Sequence, residues 1–325
     1  MPIDFLFAPS ENKDGIVFQR LRPEIRPQDR KDNLSLGLRP MDGPQTRKRK
    51  GETHMANIHC NYYSDALQLN TDINVVIPTP NSDELMNHKD TSYFHPGAKY
   101  QVLYLLHGTY GDYSDWCHLT SIEKYAQNHK IMVVMPSVAN SFYQDMFIGP
   151  KYLTFLTEEL PAYVSLLFPA SSRREDNFVA GLSMGGYGAW HVALAKPEQY
   201  AAAASLSGAL SFPYGMEDRL VDPASPWPFR AIFESCDIDK LAASEVNLLV
   251  QIKNILAAKK PLPRLFQTVG TEDFTYEVNQ QMRRALEQLG VEFTYEEHPG
   301  IHDWDYWDAH IQRALDWMPL ANTTV

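Results

Sequence analysis

The segment Gly181-Leu182-Ser183-Met184-Gly185 follows an apolar run, NFVA at 177–180, and opens a helical pattern over 185–196 that Pro197 stops. A chain that passes from strand to helix within five residues must turn sharply, and the residue at the apex is held in a strained backbone conformation. The flanking glycines are needed because a Cβ there would collide with the neighbouring strand and helix. The Ser183 hydroxyl is thereby raised above the sheet edge. It sits at the N-terminus of a helix whose dipole and free N–H groups favour a developing negative charge. The five-residue pattern alone is common by chance. The strand before it and the helix after it make Ser183 a candidate nucleophile rather than part of a plain glycine-rich turn.

The rest of the chain repeats this alternation. Apolar β-rich runs are expected at 72–78, 100–106, 131–135, 201–206 and 264–269, with a later strand at 292–296. Between them lie an amphipathic stretch at 121–129 and helical patterns at 152–168, 185–196 and 276–289, the last capped by Gly290. Continuous apolar strands interleaved with helices indicate an α/β chain with a mostly parallel central sheet, flanked by helices on both faces. Residues 211–263 break the rhythm with six prolines and several aromatics, and are expected to form a cap-like insertion over one end of the sheet.

Charge divides the chain more sharply than its length of 325 residues does. Residues 1–54 carry 11 Lys+Arg against 8 Asp+Glu, whereas the remainder carries 18 against 32. The first segment shows no sustained period and too little apolar surface to offset its ordering entropy, so residues 1–55 are expected to be a disordered extension. Residues 56–321 are expected to form the catalytic domain. Arg47-Lys48-Arg49-Lys50 reads as a solvated charge run or a localisation patch, and Met55 as an alternative start. The acidic body argues against nucleic acid and anionic membranes as partners. No apolar run reaches the roughly 18–20 residues of a membrane span, and no secretory signal is visible, which implies a cytoplasmic chain. Cys60, Cys117 and Cys236 are too few and too scattered for a disulfide framework or a zinc site. Homo-oligomerisation stays open.

A nucleophilic serine needs a base and an orienting acid, which in this architecture follow in the order Ser, acid, His. Gly270-Thr271-Glu272-Asp273 ends the strand RLFQTV. Asp273 is the expected acid because its shorter side chain suits a fixed imidazole partner, with Glu272 as the alternative. His302, in HPGIHDW, is the expected base, with His298 next in line. Pro299-Gly300 between the two histidines forbids the helical turn that an H-x-x-x-H metal pair requires. The oxyanion donors are expected to be the backbone N–H groups of Met184 and of Thr109, the latter in the loop YLLHGTYGD at 104–112. His107 is read as shaping that loop. Trp116, Trp227, Phe229, Trp304 and Trp307 are candidate pocket walls, although residues of these types are more often simple core packing. Cys117 is expected to be a buried, inert thiol.

These residues carry a family likeness. LYLLHGTYGD, FVAGLSMGGYGAW, SLSGALSF, VGTEDFTYEVN and PGIHDWDYW together resemble the esterase D-type branch of the α/β-hydrolases over residues 56–320. That branch holds tributyrin-type and other short-chain carboxylesterases, feruloyl esterases, S-formylglutathione hydrolases and mycolyl transferases. The resemblance implies an α/β-hydrolase fold with Ser183 as nucleophile, Asp273 as acid, His302 as base, and Thr109 and Met184 as oxyanion donors. Residues 1–54 have no counterpart in it. Tyr187 stands where S-formylglutathione hydrolases usually carry His, which weakens the thioester reading.

The expected function is hydrolysis of short-chain acyl or aryl esters, small-molecule substrates, through an acyl-enzyme, with no metal or organic cofactor. A thioesterase acting on S-formylglutathione is the alternative. An acyltransferase would need an exported chain and an exposed acceptor groove. A non-catalytic binding protein would usually have lost one of the three residues, and all three are present.

Overall fold

The computed structural model describes residues 55–80, 86 and 97–321. The expected disordered extension and its basic run lie outside the described residues, save Met55. Eight strands form one sheet: β1 Met55–Ser64, β2 Leu69–Pro78, β3 Val102–Leu106, β4 Met132–Pro136, β5 Asn177–Leu182, β6 Ala202–Leu206, β7 Arg264–Gly270 and β8 Thr294–His298. Their spatial order is β1-β2-β4-β3-β5-β6-β7-β8. The pairings β1–β2 and β2–β4 are antiparallel, and every pairing from β4 through β8 is parallel.

The helices used below are α1 Asp115–Leu119, α2 Ile122–His129, α3 Leu160–Leu167, α4 Met184–Ala195, α5 Glu217–Val221, α6 Phe229–Ile232, α7 Ile238–Ala242, α8 Leu248–Ala257, α9 Tyr276–Leu289 and α10 Trp304–Trp317. No helix among the described residues is long and apolar enough to cross a membrane. Successive side chains of a strand point to opposite faces, so the apolar run of β3 feeds two cores at once. Val102, Tyr104 and Leu106 join α3, α4, α8 and α9 on one face. Leu103 and Leu105 join α2 and α10 on the other. Helix α4 is buried around its circumference from Met184 to Leu194, as expected of a helix packed on the sheet on one side and beneath α8 on the other.

Three features depart from the sequence reading. Strand β1 was not anticipated, because its residues alternate between exposed and half-buried without an apolar run. Helix α10 was not anticipated either, since Trp304 and Trp307 were read as pocket walls. Asp303 caps it, its side chain accepting from the Tyr306 N–H at 3.0 Å. Helix α8, inside the proline-rich stretch 211–263, was not anticipated. It packs on α4 and leads into β7.

A parallel sheet brings the carboxyl ends of its strands to one edge, where open α/β sheets bind ligands. The loops after β3, β5, β7 and β8 all emerge there. They carry Thr109, Ser183, Asp273 and His302.

Candidate active site

Ser183 lies between β5 and α4 with φ 53° and ψ −119°, a conformation that L-residues rarely adopt. Neighbours on both sides hold it there. The Ser183 N–H donates to Leu206 O at 2.9 Å, and the Gly186 N–H donates back to Ser183 O at 3.0 Å. The close crossing of α4 over β3 demands glycine at 185. A Cβ there would stand 2.5 Å from His107 O and 2.6 Å from Leu106 O, both backbone atoms that cannot step aside. A Cβ at Gly181 would stand 2.6 Å from the Gly185 carbonyl carbon.

The structure brings Ser183, His302 and Asp273 into one hydrogen-bonded line. His302 Nε2 lies 2.9 Å from Ser183 Oγ, and His302 Nδ1 lies 3.0 and 2.9 Å from the two oxygens of Asp273. Asp273 is buried, which disfavours its charge. The hydrogen bond and charge of His302, together with the Thr275 N–H, outweigh that cost and hold the carboxyl below its ordinary value of 3.8. Thr275 Oγ1 also donates to Asp273 Oδ1 at 2.7 Å. An ionised Asp273 accepts from Nδ1–H and leaves Nε2 facing the serine as an acceptor. The imidazole is gripped by Phe274, ring centroids 4.3 Å apart, and by the edge of Trp307 at 4.9 Å.

Glu272, the alternative acid, faces elsewhere. Its Oε2 accepts from the Gly300 N–H at 2.7 Å, and its own N–H donates to Gly300 O at 3.0 Å. These bonds staple the acid loop to the loop bearing His302, and they hold the Glu272 carboxyl below its ordinary range. His298 closes β8, with Glu296 and His310 as neighbours rather than Ser183.

Thr109 and Met184 flank the serine from two elements. Met184 is the first residue of α4, so its N–H has no partner within the helix. Among the described residues, neither the Thr109 nor the Met184 N–H meets an acceptor in the molecule. His107 shapes the loop: Nδ1–H donates to Gly108 O at 2.7 Å, and Nε2 accepts from the Val138 N–H at 3.0 Å. Burial pushes its pKa down, consistent with a neutral ring that uses both nitrogens.

A cavity of about 620 Å³ opens at this edge, lined by Thr109, Ser183, Met184 and His302 and walled mainly by apolar groups. Of the expected wall residues, Trp227, Trp304 and Trp307 line it. Trp116 and Phe229 do not. Trp116 is buried, donating from Nε1 to Leu106 O at 3.1 Å and meeting Trp304 edge-on. Phe229 stacks behind Trp227 and Phe212 in the core. Phe212 and Tyr214, aromatics of the expected insertion, also line the cavity, as do Phe142, Arg219 and Phe274, to which sequence reasoning gave no role. Of these last three, Phe274 alone had a signal in the sequence, its place next to Asp273. Cys117 packs near Met135, and burial pushes its thiol up to about 11.

A serine lifted on a strand-to-helix turn, at the carboxyl edge of a sheet with this strand order, belongs to an α/β-hydrolase. Within that class a family model described as "Putative esterase" matches residues 81–318, and the chain belongs to this esterase family. Like its relatives it is a serine hydrolase acting on ester bonds, with small-molecule esters as substrates. It is 31% identical to an acetyl esterase of Caldicellulosiruptor saccharolyticus over 81% of this chain and 98% of the relative. Among solved structures it resembles substrate-bound FphF, a fluorophosphonate-binding serine hydrolase of Staphylococcus aureus. The TM-score is 0.72 at 31% identity, covering 81% of this chain and 98% of that one. An S-formylglutathione hydrolase (FrmB) of Staphylococcus aureus aligns with a TM-score of 0.70 at 33% identity, covering 82% and 99%.

Proposed function

We propose that this chain hydrolyses short-chain acyl or aryl carboxylic esters through a Ser183–His302–Asp273 triad and an acyl-enzyme. The observation that carries this reading is the unbroken line from Ser183 Oγ through His302 to Asp273, with contacts of 2.9–3.0 Å. Ser183 Oγ attacks the ester carbonyl while His302 Nε2 takes its proton. His302 then returns that proton to the departing alcohol, and a water activated by the same imidazole hydrolyses the acyl-serine. Asp273 keeps Nδ1–H oriented and stabilises the imidazolium. The Thr109 and Met184 N–H groups receive the oxyanion, a role typically worth about 10²–10³ in turnover per donor. The acetyl esterase relative favours a short acyl group, and the mainly apolar cavity favours an uncharged one.

The test is turnover of a p-nitrophenyl ester series of increasing chain length, with tributyrin and a feruloyl ester alongside. Wild type should prefer the short chains, and Ser183→Ala should lose all but a trace. Equal, slow turnover by both proteins would overturn the reading. The relative named as an S-formylglutathione hydrolase favours a second reading, a thioesterase using the same three residues. Tyr187 counts against it, because its hydroxyl is spent on Val246 O and Gln144 in the core rather than on the cavity. A faster rate with S-formylglutathione than with a matched oxygen ester would select the thioesterase.

A further inference from the structure

The loop carrying Thr109 is held from outside. Tyr110, the next residue, has φ 67°, a left-handed conformation unusual for a side chain of its size, and is 80% exposed. Its own side chain therefore does little to fix the loop. Two ties do so instead, and both lead to the peptide at 226–227 in the stretch between β6 and β7. Trp227 Nε1–H donates to Thr109 Oγ1 at 3.1 Å. The Tyr110 N–H donates to Asn140 Oδ1 at 2.8 Å, and Asn140 Nδ2 donates onward to Pro226 O at 3.1 Å. Both ends of the Asn140 amide are thus in use. The Trp227 ring is itself immobilised, stacked on Phe229 at 5.5 Å and set edge-on to Phe142 at 5.9 Å.

Resting on the serine-esterase reading above, we infer that Trp227 and Asn140 are positioning residues for the Thr109 N–H. The Pro226-Trp227 segment thereby sets the rate of acyl transfer as well as walling the cavity. The physical reason is the short range of the oxyanion bond. A donor must stand about 2.7–3.1 Å from the developing charge. Misplacement by about an ångström can cost on the order of a hundredfold in rate. A strained, exposed loop tip would not keep that distance alone. The ring holds the Thr109 side chain and the amide holds the Thr109–Tyr110 peptide, so the Thr109 Cα is fixed from two sides. With it is fixed one end of the Gly108–Thr109 peptide, whose N–H is the donor, and His107 holds the other end at Gly108 O.

The experiment is a double-mutant cycle read by steady-state kinetics on p-nitrophenyl acetate. Acylation and deacylation both pass through an oxyanion, so kcat reports the loop whichever step limits. Thr109→Val keeps the side-chain shape and the backbone N–H but removes the acceptor, and Trp227→Phe removes the donor. Each should lower kcat on the order of tenfold with KM changed less than about twofold. The double variant should be no slower than the slower single one, because both remove one bond. Thr109→Ser should restore wild-type kcat, and Asn140→Ala should lower kcat in the same manner. Additive losses in the double variant, a raised KM at unchanged kcat, or Thr109→Ser as slow as Thr109→Val would each overturn the inference. Should Trp227→Phe fail to fold, as judged by thermal unfolding, the comparison of Thr109→Val with Thr109→Ser still decides it. Ser183→Ala run in parallel separates the two levels: if that variant keeps its activity, the triad reading fails rather than the positioning one.

Discussion

At Ser183 the backbone and the chemistry make one demand. The turn that lifts its hydroxyl above the sheet edge also starts α4, so the first N–H of the helix has no partner within it, which is what the proposed oxyanion role requires. Members of such a relay act as a unit, and single losses do not add. We therefore expect His302→Ala to lose nearly as much ester turnover as Ser183→Ala, with the double variant hardly worse. Asp273 makes a separate prediction about stability. Native hydrogen bonds favour its ionised form, so its native pKa is depressed, and the stability it contributes is complete above the ordinary value of 3.8. That contribution fades as pH falls through the depressed native value. Asp273→Asn should be less stable than wild type at neutral pH, by about 1–3 kcal/mol. The gap should close on acidification below 3.8. Urea unfolding across the pH range measures it, and a gap that persists at the acid end would assign the loss to geometry instead.

The elements place these residues by how closely they pack. Helix α4 crosses β3 near enough that Gly185 faces two backbone carbonyl oxygens. Overpacking of this kind typically costs about 1–3 kcal/mol, and here the obstructing atoms are main chain. We expect Gly185→Ala to lose stability by that amount and to lose activity as well, because relief of the clash would shift α4 and the Met184 N–H with it. Urea unfolding and p-nitrophenyl acetate turnover check the two halves, and a variant of unchanged stability would refute the packing argument. Strands β2 to β8 and helices α2, α3, α4 and α9 were legible in the sequence, since buried parallel strands read as short apolar runs and Pro197 and Gly290 closed two of the helices. Strand β1 was not legible, because an edge strand covered on one side needs no apolar run. Helix α10 hid for the opposite reason: its buried face is built from Trp307, Ile311, Ala314 and Leu315, and its tryptophans suggested a pocket.

Across the whole molecule, β1 begins at Met55, pairing with Pro78 on β2, and every site residue described here comes later in the chain. We propose that residues 1–54 are dispensable for hydrolysis. A chain started at Met55 should keep its turnover within about twofold, and a larger fall would give the first segment a part in catalysis. The three cysteines are free in this structure, and kinetics should not respond to reducing agent. Sequence by itself determined the chain order of Ser183, Asp273 and His302 and the strands that precede them. A nucleophile turn, an acid loop and a base loop are local constructions with local residue demands. Only the tertiary structure shows that Asp273 meets His302 while Glu272 turns to the Gly300 N–H, because adjacent carboxylates differ solely in where the loop aims them. Tertiary structure also set Trp227 at the wall while sending Trp116 and Phe229 behind it. Those outcomes turn on contacts between residues far apart in the chain, as with the tie from Trp227 to Thr109, and no local pattern encodes them.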